Sequence, residues 1–421
     1  MAYNSIGKPR FYIDYLSYFL NEGLIHSVFV NSDSGNSLLG MPIGLDPATS
    51  ATVTTFNNSS TANAVNIYID FNEYINQRFF DNCDYITILG HTLNTSIDAL
   101  PEGTGAVRMN LQKRGNHGNP GVPGGQFWRG AVTSKHTMAA PDILNSEWGG
   151  TGNGVEHHTF LPKSGASIFQ TEIASQINVN EDSDTLDPLT GFALAAEDGG
   201  VPWDLSTHGA NTDRLMLDIK FRLEDGSDWY TPEYSGSWKI NNISMGHIYD
   251  IPHSPDLALS MTIEYDGVDI KETTGGSTVT NLRYSGNPKW GTLNPWEVGA
   301  SEGNVKRNGR RVWSLRFSYI SDKDMFSSNY MTNPYLENSS QHDSEDVLES
   351  NELLYTIQDD DSIDAKLLNY IANGNKFIFQ PDNLSNNPSD FAICMLDQRS
   401  LKITQKAHKA YSITMKIREV W

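Results

Sequence analysis

Apolar and polar side chains alternate along residues 410–421, with the period expected for a strand that has one buried face. The apolar positions of this segment are Tyr411, Ile413, Met415 and Ile417. Two shorter apolar segments, 376–380 and 391–396, come before it and are separated by a polar, turn-rich loop at 381–390. We therefore expect residues 375–421 to form the closing sheet of a β domain, with the end of the chain tied into it.

The same alternation predicts strands elsewhere in the chain. The expected strands are 66–71, 85–89, 215–223, 238–245, 257–265 and 310–319. Asn308-Gly309 is typical of a type I′ turn, so a hairpin should lead into the last of these strands. Its buried face should be formed by Trp313, Leu315, Phe317 and Tyr319, and this strand is the best candidate partner for residues 375–421.

Helices are few in this prediction. The aromatic segment 11–19 has near-helical spacing but is too short for periodicity to decide between helix and strand. Residues 344–358 are predicted to be helical. Residues 362–373 form a clearer helix, with Ile363, Leu367, Leu368 and Ile371 on one side. Asp361 or Ser362 should cap the start of that helix, and Gly374 should follow its end at the C′ position.

Two prolines in the segment Ile251-Pro-His-Ser-Pro-Asp256 lack the amide donor that a strand ladder needs. We place a domain boundary there, which gives an N-terminal β-sandwich at 1–250 and a C-terminal β-sandwich assembly domain at 251–421. Glycine- and proline-rich patches between 102 and 154 predict a long loop within an insertion at about 102–214. A loop with so little core of its own would be ordered by contacts with neighbouring molecules, which suggests that the protein is part of an assembly.

The formal charge of −21, from 30 basic and 51 acidic residues, argues against a surface that grips phosphates. Cys83 and Cys394 each lie in an apolar segment and are expected to be buried thiols rather than a disulfide. No apolar run is long enough to span a bilayer, and residues 1–10 do not resemble a secretory signal. We expect a soluble protein made in the cytoplasm.

Several segments resemble chemical motifs without matching them. His91 follows a buried strand and is expected to bond its own loop rather than to act in catalysis. Glu156-His157-His158 lacks the spacing of the zinc-binding H-E-x-x-H helix, and Asp359-Asp-Asp361 lacks the spacing of an EF-hand. No phosphate-binding loop or nucleophile elbow occurs in the sequence. We predict no catalytic residues, no metal site, no cofactor and no enzymatic activity.

Residues 306–311 are the basic cluster that we single out in this acidic chain. Lys306, Arg307, Arg310 and Arg311 flank the Asn308-Gly309 turn. The cluster could be an ordinary solvated hairpin tip. It could also dock on an acidic partner or face DNA, and in that case these four side chains are candidates for an assembly interface.

Six short segments stand out along the chain: Ile88-Leu-Gly-His-Thr-Leu93, Ile251–Leu257 followed by Tyr265-Asp-Gly267, Arg310–Tyr319, Lys376–Asp382 and Ile417-Arg-Glu-Val-Trp421. Together they resemble virion structural proteins of tailed bacteriophages, especially marine ones. The resemblance covers most of the chain outside the insertion. It implies a mainly β tail or baseplate component, similar to distal tail proteins. The N-terminal domain would be a galactose-binding-like jelly roll, and the C-terminal domain a tail-tube-like β domain with one or two helices.

Such a protein would act by assembly. The expected partners are copies of itself in a symmetric ring and other tail or baseplate proteins, with DNA passing through without specific binding. The expected location is the virion tail, after assembly in the host cytoplasm. The alternative is a carbohydrate- or receptor-binding module of the tail tip. In that case Trp128, Trp148 and Trp203 would contact host glycans. A third hypothesis is a glycan-degrading enzyme that uses two of the many carboxylates.

Overall fold

The computed structural model describes residues 6–30, 42–47, 49, 51–56, 65–75, 79, 85–91, 104–115, 136–139, 156–160, 212–223, 234–257, 260–265, 268–282, 309–326, 361–384 and 390–421. The protein is mainly β, as the alternation predicts. The strands are β1 Arg10–Asp14, β2 Ile25–Val30, β3 Ala51–Phe56, β4 Val65–Ile75, β5 Tyr85–His91, β6 Thr104–Gly115, β7 His136–Ala139, β8 Glu156–Phe160, β9 Thr212–Leu223, β10 Tyr234–Ile240, β11 Asn242–Asp250, β12 Ser260–Glu264, β13 Val268–Glu272, β14 Thr278–Leu282, β15 Arg310–Ser321, β16 Phe377–Gln380, β17 Ala392–Leu396, β18 Ile403–Ala407 and β19 Ala410–Glu419. The helices are α1 Tyr15–Asn21, α2 Asp322–Met325, α3 Asp364–Leu368, which has π geometry, and α4 Asn369–Ile371.

The largest sheet has ten strands and curls into a half-barrel. Its order is β12-β15-β19-β17-β16-β1-β11-β5-β8, and β18 pairs with β19 beside this path. Every pairing recorded in it is antiparallel, for example Phe11 opposite Tyr249 on one side and Phe379 on the other. A second sheet has the order β2-β4-β9-β6-β7, and β3–β10 and β13–β14 form two-stranded sheets.

The core is dominated by aromatic rings that meet across the largest sheet. Phe11 packs against Phe377 and Phe379, with ring centroids 5.4 Å and 5.2 Å apart, and Trp313 lies 5.1 Å from Phe379. On the other face of β1, Tyr12 meets the edge of Tyr85 at 5.5 Å. These rings are fully buried. β1 is therefore covered on both faces, which explains why residues 11–14 have no polar face except Asp14.

Residues 11–19 form a strand followed by a helix, whereas their spacing alone did not decide between strand and helix. β1 ends at Asp14, whose carboxylate accepts hydrogen bonds from the amides of Leu16 at 3.2 Å and Ser17 at 3.1 Å and so caps α1. A capping aspartate satisfies the free amides of a first helical turn. The chain thus changes from strand to helix in the middle of a mainly apolar segment, because Asp14 caps the first turn of the helix.

The helix predicted at 362–373 is confirmed, with a π turn that the sequence did not reveal. Ile363, Leu367, Leu368 and Ile371 are all buried. The Ser362 hydroxyl accepts a hydrogen bond from the Ala365 amide at 3.3 Å, and Gly374 has a φ of 81°. The helix predicted at 344–358 lies outside the described residues.

The three strands predicted in residues 375–421 are confirmed as β16, β17 and β19, and β18 was missed. β15 pairs with β19 along Val312–Ser321, as expected. The prediction for Tyr319 is wrong. Phe317 lies opposite Ile413 and Ile320 opposite Tyr411, so β15 carries one extra residue at a bulge. Tyr319 has a φ of 62° there and is 77% exposed, while Ile320 takes the buried position.

Two other predicted strands need correction. The strand expected at 238–245 is split at Asn241, whose side-chain amide donates to the carbonyls of Pro47 at 3.1 Å and Thr49 at 2.6 Å. In the strand expected at 257–265, β12 begins only at Ser260. Its apolar positions Ile263 and Tyr265 are exposed rather than buried, because β12 is an edge strand of the sheet.

The insertion predicted at about 102–214 is not a plain loop. β6 pairs with β9 over its whole length, β7 pairs with β6, and β8 pairs with β5. The division at 250/251 stays a prediction. Residues 251–257 form no strand, as their prolines require, but β1 pairs directly with β16 across that division. Any division into domains has to account for a sheet to which both parts contribute.

Candidate assembly surface

The hairpin arm, which we define as residues 268–282, is the most exposed β structure in the described part of the chain. Its two strands pair from Val268 opposite Leu282 to Glu272 opposite Thr278. The turn is closed by bonds from the Thr273 amide to the Ser277 carbonyl and from the Ser277 amide to the Thr273 hydroxyl. Among the described residues the arm forms a sheet of its own.

Apolar side chains stand in solvent on both faces of the arm. Ile270 is 66% exposed and Val279 is 43% exposed. Ile270 lies opposite Thr280 while Val279 lies opposite Lys271, so the two apolar residues point to opposite faces of the hairpin. The charges of the arm are few, and Lys271 pairs with Asp269 at 3.2 Å. The arm is therefore a weakly charged ribbon with apolar groups available for contact on either face.

More apolar surface is exposed at the β12 edge of the largest sheet. Leu257, Ile263 and Tyr265 are exposed there, and Tyr319 is exposed at the bulge in β15. The loop that holds Leu257 is fixed to β15, because the Asp256 amide donates to the Arg316 carbonyl at 2.7 Å and the Ser318 hydroxyl donates to the Asp256 carboxylate at 2.7 Å. Exposed apolar surface on a fixed frame is typical of protein contacts.

The basic cluster at 306–311 is only partly described. Lys306 and Arg307 lie outside the described residues. The Arg310 guanidinium lies 4.7 Å from the centroid of the Trp421 ring, and Trp421 is half-buried. Gly309 has a φ of 81°, as the predicted turn requires. A role of these residues at a subunit contact stays a prediction.

Arg311 is not a solvated residue of a hairpin tip, which was one interpretation of the basic cluster. It is 6% exposed, its guanidinium lies 3.3 Å from the Glu419 carboxylate, and it also donates to the Phe391 carbonyl at 3.2 Å. The backbone amide of Arg311 donates to the same carboxylate at 3.0 Å. These contacts fasten the start of β15 to the end of β19, so Arg311 serves the sheet itself.

A second basic segment went unnoticed in the sequence. Between Gln398 and Arg418 the chain has six Lys or Arg residues and no Asp or Glu. Arg399, Lys402, Lys406 and Lys409 are all exposed on the β18–β19 hairpin and the turn before it. We call these four residues the cationic hairpin. A count of charge sign along the chain would have revealed it, because the cations are spaced too widely to stand out as a cluster.

Buried titratable groups occur where α1, β11 and α3 meet. Besides capping α1, the Asp14 carboxylate accepts from the Ser17 hydroxyl and from the Met245 amide at 3.3 Å. Burial raises the pKa of Asp14 to about 6, against the hydrogen bonds that lower it. Burial also lowers the pKa of His247 to about 3, and the nearby charge of Lys366 acts in the same direction.

His247 makes a hydrogen bond to the backbone of the π turn in α3. Its Nε2 lies 2.5 Å from the Lys366 carbonyl oxygen, and the ring packs between Tyr15 and Tyr370, with centroids 5.3 Å from each. A neutral imidazole that donates from Nε2 to this carbonyl fits the geometry. Asp14 and His247 therefore join elements of the fold, and neither faces solvent.

The remaining candidates have little or no structural description. The aromatic residues Trp128, Trp148 and Trp203 and the thiol of Cys83 lie outside the described residues. Cys394 is a buried thiol, as predicted. His91, His157 and His158 lie in β5 and β8. Within the described ranges, no group of three or more His, Cys, Asp or Glu side chains could hold a metal ion, and no helix is long and apolar enough to cross a membrane.

Comparisons of the chain with protein-family models, with curated proteins and with solved structures found no match.

Proposed function

We propose that the chain is a structural protein of a tailed-bacteriophage virion and assembles with copies of itself into a symmetric ring in the tail or baseplate. The observation that carries the proposal is the hairpin arm at 268–282, which forms a two-stranded sheet with apolar side chains exposed on both faces. An isolated two-stranded hairpin is marginally stable at best in water. Contact with a neighbouring subunit would bury Ile270 and Val279 and hold the arm in place.

A ring needs heterologous contacts, in which one patch of a subunit binds a different patch of the next. An arm on one part of a subunit can bind a different part of the next subunit, so it suits a ring better than it suits a symmetric dimer. The resemblance of six short segments to phage virion proteins supports placement in the tail, where other tail or baseplate proteins would be further partners. The net charge of −21 suits a channel that DNA passes without sticking.

The arm can be tested without removing it. We expect the double variant Ile270→Ser, Val279→Ser to weaken self-association at least about 10-fold, because two exposed apolar side chains lose the area that they would bury in the contact. Mass photometry and electron microscopy of the purified protein measure the assembled fraction. The matched control is Thr278→Ser, Thr280→Ser, which also removes methyl groups from exposed positions of the arm.

The control should assemble like the wild type, and circular dichroism should be the same for all three proteins. Equal assembly of the Ile270/Val279 variant and the wild type would rule out the arm as the contact. Location in the virion is tested separately, by mass spectrometry and antibody labelling of purified particles, with antibody at the tail as the expected result. A protein missing from the particles would contradict the virion role.

A further inference from the structure

The cationic hairpin places four basic side chains at the surface of an acidic protein. Residues 398–418 contribute six of the 30 basic residues and none of the 51 acidic ones, so the rest of the chain has a net charge of −27 (−21 less +6). Two of the six cations are neutralised within the chain. Lys416 pairs with Asp397 at 2.5 Å and Arg418 with Glu264 at 3.1 Å.

The other four cations, Arg399, Lys402, Lys406 and Lys409, are free of ion pairs in the part of the chain that the structure describes. Each of them is exposed. Hydrogen bonds fix the backbone of the hairpin, although its basic side chains are exposed. β18 pairs with β19 from Ile403 opposite Ile413 to Ala407 opposite Ala410, and the Lys409 carbonyl accepts from the Asp322 amide at 3.1 Å. The charges are therefore presented on a fixed frame.

Protection of a sheet edge explains only one of these charges. Lysines on edge strands prevent unwanted pairing with other strands. Lys406 lies within β18, Ile403–Ala407, and can serve that purpose. Arg399 and Lys402 precede the strand, and Lys409 lies in the turn after it. Three of the four cations thus call for another explanation, and an anionic partner is the simplest one.

A segment of complementary charge occurs in the same chain. Between Asp324 and Asp364 the sequence has eleven Asp or Glu residues and no Lys or Arg. Asp361 is exposed, and Asp324 and Asp364 are partly exposed. Ionic interactions in physiological salt are screened beyond about 8 Å. The charges that meet at a contact therefore matter more than the net repulsion between two acidic molecules.

We propose that the cationic hairpin of one copy binds the acidic segment, residues 324–364, of a second copy. This inference rests on the proposed self-assembly and adds the second, electrostatic half of the contact. Nucleic acid is the other polyanion that such a surface could meet. Four cations on a protein of charge −21 would release few counterions on binding DNA. The acidic segment would not bind DNA, because both are negatively charged. A second copy is therefore favoured.

The test compares charge reversal with charge retention at the same positions. In the variant Lys402→Glu, Lys406→Glu, Lys409→Glu, carboxylates would face carboxylates. We expect self-association to weaken about 100-fold or more at low salt, since like charges in contact cost several kcal/mol. The control Lys402→Arg, Lys406→Arg, Lys409→Arg keeps the charge and should assemble like the wild type. Sedimentation velocity measures the assemblies, and circular dichroism verifies the fold.

Wild-type assemblies should also dissociate as NaCl is raised from about 50 mM to 500 mM. If the wild type assembles and the Glu variant assembles equally well, the hairpin inference is overturned while the proposed function stands. If the wild type stays monomeric in all salts, the proposed self-assembly fails as well. In that case, binding of duplex DNA that is lost in the Glu variant would assign the hairpin to nucleic acid, and no DNA binding would leave it without an anionic partner.

Discussion

Gly246 of β11 faces the carbonyl oxygen of Ile13 so closely that a Cβ atom on the glycine would lie 1.8 Å from that oxygen. The two residues are on the paired strands β1 and β11, next to the point where Asp14 turns the chain into α1. The same Cβ would lie 3.2 Å from the Tyr15 amide nitrogen. All of the obstructing atoms belong to the backbone, so no side-chain rotation can relieve the clash.

We therefore predict that Gly246→Ala is strongly destabilising. Because β1 would have to move away from β11 in the centre of the sheet, the free energy of unfolding should fall by about 3 kcal/mol or more. Urea unfolding monitored by tryptophan fluorescence measures the change. The control is Gly275→Ala in the turn of the hairpin arm. A Cβ at that position has only the Thr273 hydroxyl at 4.0 Å as a neighbour, and the change should be within about 0.5 kcal/mol. Equal stability of the two variants would contradict the prediction.

Asp14 should make stability depend on pH in an unusual direction for a carboxylate. Its pKa rises from 3.8 to about 6 on folding, so its contribution is fully present below pH 3.8 and is lost as the pH rises through 6. The difference corresponds to about 3 kcal/mol. Asn is a good helix cap without a charge. Asp14→Asn should therefore gain about that much stability relative to the wild type between pH 4 and pH 7.

The comparison of variant with wild type isolates Asp14 from His247, which acts in the opposite direction. The pKa of His247 falls from 6.5 to about 3 on folding, so its contribution is present above pH 6.5 and is lost as the pH falls toward 3. Urea unfolding of both proteins at several pH values supplies the measurement. A difference in unfolding free energy that does not change with pH would show that Asp14 has the same pKa in the folded and unfolded states.

The buried pair of Arg311 and Glu419 gives a third prediction. The side chains are 7% and 1% exposed, so Glu419→Gln would leave an uncompensated guanidinium in the interior and should cost about 3 kcal/mol or more. The double variant Arg311→Met, Glu419→Gln should recover most of that loss, because it removes both charges and the glutamine side-chain oxygen can still accept from the backbone amide of residue 311. Urea unfolding of the single and double variants gives both values.

A surface pair serves as the control for that experiment. Arg316 lies 3.5 Å from the Asp256 carboxylate, and its side chain is half exposed. Arg316→Gln should cost less than about 1 kcal/mol. If Glu419→Gln were no more harmful than Arg316→Gln, the Arg311–Glu419 pair would not be holding β15 to β19.

The sequence predicted the elements that follow a single period. Residues 411–417 alternate strictly, and their apolar side chains are buried in β19. Residues 11–19 could not be assigned, because the period changes from two to about 3.6 at Asp14 without a break in hydrophobicity. β6 was missed because glycines and prolines surround it, although Val107, Met109 and Leu111 alternate with Arg108, Asn110 and Gln112.

The errors at Tyr319 and Ile263 have tertiary causes. A bulge shifts Tyr319 to the solvent side of β15, and a period of two cannot indicate where one residue has been inserted. Ile263 has the right period, but β12 lies at the edge of the sheet, where little covers it. The cationic hairpin was missed for a simpler reason, since the sequence was searched for close clusters and not for long segments with one sign of charge.

The position of β19 has a consequence for how the protein is made. Among the strands that the structure describes, β12 and β15 join the rest of the largest sheet through β19, and β1 pairs with β16, which lies more than 360 residues later in the chain. Contacts of such long sequence separation form slowly. During synthesis, β1 and β15 leave the ribosome as open edges and stay so until residues 377–380 and 410–419 have followed. During this interval the nascent chain is most exposed to aggregation, and a chaperone that covers these open edges would protect it.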